Sequence, residues 1–74
     1  MEPDFHPLSW PAIVREAIRR RRSEKLSQRA LAAIAGVTHP TVVAFEKGET
    51  SLKVKTALAI LNALGMVARE ETST

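Results

Sequence analysis

The stretch Leu26–Gly48, LSQRALAAIAGVTHPTVVAFEKG, decides the fold. It holds two short apolar patterns at helical spacing, and each follows a hydroxyl residue that can cap a helix N-terminus: Ser27 before the first pattern and Thr38 before the second. Gly36 lies between them, at a position where helices commonly end on a left-handed residue. Small residues such as Ala32 allow two helices to cross closely. The stretch therefore predicts a helix-turn-helix, a geometry in which the second helix can project into a DNA major groove.

Two further helices are expected on either side of this stretch. Upstream, Ser9 is a candidate cap and Pro11 suits a first helical turn, so a helix is predicted from about Pro11 to about Arg22. Downstream, a fourth helix should end at Gly65. The sequence therefore indicates an all-α domain of four to five short helices, and it leaves open a short C-terminal strand after Gly65.

The apolar residues of these helices define the predicted core. In helices two and three the inward positions are expected to be Leu31, Ile34, Val42 and Phe45. In helix four they are expected to be Val54, Ala57, Leu58, Leu61 and Leu64. Four more apolar residues could exceed what such a small core can bury, and are candidates for contacts between two copies of the chain: Leu52, Ile60, Met66 and Val67.

Length and composition limit the class of protein. The chain has 74 residues, 45% hydrophobic and 26% charged, and this fits one small globular domain without a large cleft. It has no cysteine, so disulfides and thiolate zinc sites are excluded. The formal net charge is +3, but residues 10–69 hold all 11 Lys and Arg and only four of the eight acids, a net +7. A basic body favours a polyanionic partner, although basic surfaces also aid solubility.

The ends of the chain differ from its body. Residues 1–9 read as an arm with two acids, two prolines and one aromatic residue, Phe5, that could dock on the body. Residues 10–69 form the predicted domain, and residues 70–74 a disordered tail. Neither a secretory signal nor an apolar run long enough to span a bilayer is recognisable, so the expected location is the cytoplasm, with no membrane partner.

Several motifs together resemble the lambda-repressor-like, Xre-type helix-turn-helix family. They are Leu26-Ser27-Gln28, Leu31-Ala32, Ala35-Gly36-Val37-Thr38, Thr41-Val42 and Phe45-Glu46-Lys47-Gly48, followed by the helix from Thr56 to Leu64 and by Gly65. The resemblance covers about residues 12–65 and rests on the ordered set, since each short motif alone is weak.

Helix one adds a charged position at the edge of the core. Its apolar stripe runs through Val14, Ala17 and Ile18 and continues to Arg21, whereas Arg19, Arg20 and Arg22 are expected to form a solvated face. A half-buried arginine needs an acid, and Glu46 beside the inward Phe45 is the nearest candidate. The resemblance implies the same Arg21–Glu46 ion pair, between helix one and helix three.

The resemblance also implies which residues face DNA. Positions facing base edges would be Thr38, His39, Pro40, Val43 and Ala44. Several of these depart from the polar residues usual in the family, so hydrogen bonding would rest on His39 and Thr38, while Val43 and Ala44 could contact thymine methyl groups. His39 could instead be a surface histidine beside a proline, and Val43 could be an ordinary exposed apolar residue. The exposed face of helix three is expected to include this whole set and Thr41.

Contacts to the DNA backbone would flank helix three. The residues expected to make them are Gln28, Arg29, Thr41, Lys47 and Lys53, with Lys55 nearby. Thr41 could instead support the turn, and Arg29 and Lys55 could be solubilising charges. Two positions depart from the family pattern: Lys25 stands where glycine is common, and Lys53 stands where a better helix cap is common.

The sequence thus favours a sequence-specific DNA-binding regulator, a repressor acting as a homodimer on a palindromic operator. Met66-Val67-Ala68 also resembles the short strand of HipB-like antitoxins, so a toxin protein is a further candidate partner. The alternative is a protein-interaction adaptor with the same fold that does not read DNA. No catalytic residue or cofactor is expected, because the sequence has no cysteine nucleophile, no phosphate-binding Gly-rich loop and no HExxH motif. No metal ligand is expected either, because the two histidines, His6 and His39, are too sparse for a metal site.

Overall fold

A computed structural model describes residues 9–66, which form four α-helices and no strand within that range. The helices are α1 (Trp10–Ser23), α2 (Gln28–Ala35), α3 (His39–Glu46) and α4 (Val54–Ala63). The predicted all-α class is confirmed, and each helix lies where the sequence places it. Most of the predicted arm, the tail and all but the first residue of the strand Met66–Ala68 lie outside the described residues.

Hydroxyl side chains begin three of the four helices, as the sequence predicts. Ser9, Ser27 and Thr38 have extended backbone and each accepts a hydrogen bond from the amide three residues on, at 3.4, 2.9 and 3.3 Å. Such caps satisfy amides that have no partner within the helix. Lys53 precedes α4 and makes no side-chain cap, as its lack of an acceptor requires.

Lys25 adopts left-handed backbone where the chain leaves α1, with φ at +58°. This conformation lets the amide of Lys25 donate to Arg22 O at 2.9 Å and the amide of Leu26 donate to Arg21 O at 3.0 Å. Both bonds satisfy carbonyls at the helix end. A side chain with a Cβ is strained in this region by about 1–2 kcal/mol.

Replacing Lys25 with glycine is therefore expected to raise the free energy of unfolding by about 1 kcal/mol, because the relief of strain exceeds the backbone entropy that glycine loses. Urea denaturation followed by circular dichroism measures it. Lys25→Ala is the matched control, since it removes the same side chain and keeps the strain. Equal stability of the glycine and alanine variants would contradict this account.

Four residues form the centre of the core and have no more than traces of exposed surface: Leu31, Val42, Phe45 and Ile60. They come from α2, α3 and α4, and α1 closes the core through Val14 and Ala17. The ring of Trp10 at the start of α1 packs edge-on against the Phe45 ring, with centroids 5.6 Å apart and an interplanar angle of 88°. Such aromatic pairs add to the stability gained from burial alone.

Four of the expected core assignments are wrong. Val54 and Leu58 of α4 are 73% and 45% exposed, and Ile34 of α2 is 58% exposed, whereas Ile60 is fully buried instead of being surplus to the core. The side of α4 that packs carries Ala57, Ile60, Leu61 and Leu64, a stripe at i, i+3, i+4 and i+7. Because α4 is apolar around most of its circumference, its own pattern does not decide which side is covered.

The small residues of α2 explain the position of Ile34. The packed side of this helix consists of Leu31, Ala32 and Ala35, which lie together on a helical surface. Alanines at two of these positions bring α2 close to its neighbours. Ile34 projects away from that face, about 100° around the helix.

Arg20 is not part of a solvated face, contrary to expectation. Its Nη1 donates to Leu64 O at 3.2 Å and to Gly65 O at 3.1 Å, and its Nε donates to Glu16 at 2.8 Å. Gly65 has φ of +72°, which turns the chain at the end of α4. The arginine thus binds carbonyls that the helix end leaves without amide partners, and it links α1 to α4.

Glu16 is held between two arginines on α1, and this sets its titration. Hydrogen bonds from Arg19, at 2.7 and 3.0 Å, and then from Arg20 lower the pKa of the Glu16 carboxyl from 4.5 to about 2. A carboxyl whose pKa falls on folding contributes stability that is complete above its unfolded pKa and is lost as pH falls through the folded pKa.

The Glu16 contribution is therefore expected to disappear between about pH 4.5 and pH 2. A carbon-detected NMR titration of the side-chain carboxyls tests this directly. We expect the Glu16 resonance to titrate well below pH 4.5, the ordinary value for a glutamate carboxyl. Titration of the Glu16 carboxyl near pH 4.5 would contradict the arrangement.

Candidate nucleic-acid interface

A three-residue turn joins α2 to α3 and sets the angle between them. Gly36 has φ of +76°, and its amide donates to Ala32 O at 2.9 Å. The amide of Val37 donates to the same carbonyl at 3.0 Å, and this closes the end of α2 before Thr38 begins α3. Gly36 adopts this conformation without the strain that a Cβ imposes. The α2–turn–α3 unit has the connection expected of a helix-turn-helix.

The inward and outward faces of α3 are both apolar. Val42 and Phe45 are fully buried. On the opposite side, a strip at i, i+3, i+4 and i+7 runs along the helix, and we call it the outward strip: Pro40, Val43, Ala44 and Lys47. The strip ends at Lys47, the C-cap residue of α3, so its three apolar residues are followed by one cation.

The outward face is less open than the sequence suggests. Thr38 and Pro40 are exposed, as predicted, whereas His39, Thr41, Val43 and Ala44 are half-buried. The helix has only eight residues and packs against both α1 and α2, so these neighbours partly cover its flanks. The Thr38 and Thr41 hydroxyls lie 2.8 Å apart and form a hydrogen bond at the start of the helix.

The structure brings Arg21, Glu46 and Gln28 together in one network. Arg21 Nε donates to Glu46 Oε2 at 2.6 Å and Arg21 Nη2 donates to Oε1 at 3.1 Å, which is a two-bond ion pair. The two side chains are only 11% and 9% exposed. Arg21 Nη1 also donates to Leu26 O at 2.8 Å. This network fixes the end of α3 to α1 and to the start of α2.

Gln28 takes part in the network through its side chain. Its Nε2 donates to Glu46 Oε1 at 3.0 Å. The sequence indicated only a backbone contact to DNA for this residue, and no local signal reveals its contact with Glu46, which lies 18 positions away. Because Nε2 carries two hydrogens, one remains for another acceptor. The contact holds the side-chain amide of Gln28 at the N-terminus of α2, where backbone N–H groups attract anions.

Four cations near this unit are exposed and make no ion pair within residues 9–66: Arg29, Lys47, Lys53 and Lys55. Lys47 lies at the end of α3, and Lys53 precedes α4. By contrast, Arg19, Arg20 and Arg21 are all paired with acids. Arg15 and Arg22 of α1 and Lys25 after it are also exposed and make no ion pair within residues 9–66, so exposed cations occur both before and after the helix-turn-helix unit in the sequence.

Comparison with known proteins agrees with this geometry. Residues 18–71 match the family described as "Helix-turn-helix". The chain belongs to the Xre-type, lambda-repressor-like helix-turn-helix family. The chain is also 35% identical over 54 residues to a Haemophilus influenzae protein named "Uncharacterized HTH-type transcriptional regulator". The match covers 73% of this chain and 55% of that relative, so the chain spans about half the length of the relative it matches.

Neither a metal-binding cluster nor a membrane-spanning helix is found among the described residues of this Xre-type chain. Across residues 9–66, no group of three or more His, Asp or Glu side chains is placed to hold a metal ion. In the same range, no helix combines the length and the apolar character needed to cross a bilayer.

Proposed function

We propose that this Xre-type chain is a sequence-specific DNA-binding regulator of transcription, and that it acts as a repressor. The observation that carries the proposal is the placement of α3. Its inner face is buried and its end is fixed by the network of Arg21, Glu46 and Gln28, while its cap and its outward strip face away from the core. A rigid helix presented in this way can enter a major groove.

Base reading is proposed for the N-terminal half and outward strip of α3. Thr38 and His39 supply hydrogen-bonding groups, and Pro40, Val43 and Ala44 supply apolar surface for thymine methyl groups. An apolar outward strip on a DNA-reading helix predicts an operator in which A·T pairs face α3. Thr41 supports the turn through Thr38.

Backbone contacts are proposed for the surrounding donors. Gln28 and Arg29 lie at the N-terminus of α2, and Lys47 and Lys53 lie at the end of α3 and before α4. Phosphate contacts of this kind fix the position of the protein on the duplex, and each neutralised phosphate releases a counterion.

Lys47→Gln is expected to weaken binding to all DNA sequences alike and to reduce the slope of log K against log salt by about 1. Fluorescence anisotropy with a labelled duplex over a range of salt concentrations measures both quantities. The matched control is Arg22→Gln, which removes an exposed cation from α1. An unchanged slope for Lys47→Gln, or an equal loss for the control, would remove Lys47 from the interface.

A homodimer is proposed because one such module is small. A single module buries about 600–1,000 Å² on DNA, whereas two copies related by a two-fold axis can place two α3 helices in successive major grooves about 34 Å apart. The operator is then palindromic. A regulator of this kind works where chromosomal DNA is, which in bacteria is the cytoplasm.

The antitoxin role is a finer proposal. It rests on the likeness of Met66-Val67-Ala68 to the strand of HipB-like antitoxins, and two of these residues lie outside the described range. It predicts that the product of a neighbouring gene co-purifies with this chain and is toxic without it. Absence of such a neighbour would leave a stand-alone repressor.

A second candidate function is an adaptor that binds protein through α3, and the apolar outward strip favours it. The variant carrying both His39→Ala and Val43→Ala separates the two functions. If the chain reads DNA, this variant loses the sequence selected by the natural chain from a random pool and keeps its thermal unfolding midpoint. Unchanged DNA binding by the folded variant would favour the adaptor.

A further inference from the structure

An apolar groove lies between the start of α1 and α4. Its volume is about 450 Å³. It includes Leu58 and Val54, which are largely exposed and which the core does not use. The lining residues are Trp10, Ile13, Thr50, Leu52, Val54, Ala57, Leu58 and Leu61. Thr50 is the one polar residue of this lining, so the groove offers an almost entirely apolar surface to a partner.

The chain enters α1 directly beside this groove. Ser9 is the N-cap of α1 and has extended backbone, with φ of −67° and ψ of 123°. The residue before an N-cap commonly packs against the fourth helical residue, an arrangement called the hydrophobic staple. Here those residues are Leu8 and Ile13, and Ile13 lines the groove. The staple would therefore direct residues 1–8 toward the groove.

The composition of residues 1–8 suits the groove better than it suits DNA. The segment contains Glu2 and Asp4 and no Lys or Arg, so phosphates would repel it. Its apolar residues include Phe5 and Leu8, and Pro7 lies between these two in the sequence. The four residue steps from Phe5 to Ser9 reach at most about 14 Å, which exceeds the length of about 10 Å along α4 from Val54 to Leu61.

The charges beside the groove are opposite in sign to those of residues 1–8. Lys53 and Lys55 flank Val54 in the chain, and both are exposed. Glu2 and Asp4 precede Phe5, so a Phe5 ring placed against Leu58 and Val54 brings these acids into the neighbourhood of the two lysines. Opposite charges within a Debye length of about 8–10 Å attract each other at physiological salt.

We propose that residues 1–8 of the same chain occupy this groove, with Leu8 on Ile13 and the Phe5 ring between Trp10 and Leu58. The arm then covers the apolar side of α4. The proposal concerns the chain's own packing and does not depend on DNA binding.

The direct test is NMR of the full chain. We expect nuclear Overhauser contacts from the Phe5 ring protons to Leu58 and Val54 methyl groups. A sample mixed from isotope-labelled and unlabelled chains tells contacts within one chain from contacts between two. Contacts only between chains, or no contacts from Phe5, would overturn the proposal, and the former would make the groove an interface between copies.

Trp10 provides a second readout because it is the single tryptophan of the chain. Phe5→Ala is expected to shift Trp10 emission to longer wavelength and to increase its quenching by acrylamide, while Phe5→Leu, which keeps an apolar side chain, changes both less. Circular dichroism establishes that both variants are folded. Identical emission and quenching in the natural chain and in Phe5→Ala would overturn the proposal.

Discussion

Arg21→Ala is expected to lower the free energy of unfolding by about 3–5 kcal/mol, since it leaves a buried carboxylate without its partner. Glu46 is 9% exposed and accepts two hydrogen bonds from the Arg21 guanidinium. A small single core supplies about 3–5 kcal/mol in total, so this variant should be near its unfolding midpoint at 25 °C. Urea and thermal denaturation followed by circular dichroism measure the loss.

Two variants make this test specific. Arg22→Ala removes the next arginine, which is exposed, and should change stability by less than about 0.5 kcal/mol. The double variant Arg21→Met with Glu46→Leu removes both charges and should recover much of the lost stability, because no buried charge then lacks a partner. If Arg21→Ala were as stable as Arg22→Ala, the network would not hold α3 in place.

Val43→Glu is expected to weaken binding to the selected operator by about two orders of magnitude, because like charges brought together at an interface cost several kcal/mol. Val43 lies in the outward strip of α3 and is half-buried. The new carboxylate would face the phosphates and base edges that the proposal assigns to this strip. Anisotropy titration with the operator duplex measures the change.

Asn62→Glu is the matched control for Val43→Glu. It makes the same change in net charge at an exposed position of α4. We expect this control to bind within a few-fold of the natural chain, and both variants to unfold at similar temperatures. Equal weakening by the two variants would mean that net charge, and not the outward strip of α3, controls binding.

Local signals in the sequence predict the helix boundaries well. Ser9, Ser27 and Thr38 are side-chain acceptors at the positions where helices begin, and each makes the expected bond. Gly36 and Gly65 are left-handed where helices end. These features depend on neighbouring residues, so a single sequence contains the information needed to predict them.

The side of a helix that packs is harder to predict. Val54 and Leu58 have the same apolar chemistry and nearly the same spacing as Ile60 and Leu64, yet the first pair is exposed and the second is buried. The choice depends on how α4 meets α2, which the pattern of α4 does not contain. Arg20 is similar, since its contact with Leu64 O and Gly65 O joins residues more than 40 positions apart.

In the candidate site, too, some features are predictable from the sequence and others are not. Arg21 and Glu46 are predictable as partners because Arg21 lies at the edge of the apolar stripe of α1 and Glu46 lies beside the inward Phe45 of α3. The structure places Arg21 Nε 2.6 Å from Glu46 Oε2. The residues assigned to base reading have no such internal signal. Val43 and Ala44 are apolar on a helix whose other side is also apolar, so only their position on the outward strip distinguishes them from core residues.

Selection of bound duplexes from a random pool by the full chain tests the central claim most directly. The account predicts enrichment of one two-fold symmetric sequence with half-sites about one helical turn apart, whose binding falls steeply with salt and is lost in Val43→Glu. Recovery of no common sequence by the folded chain, or of a sequence that Val43→Glu binds equally well, would contradict it.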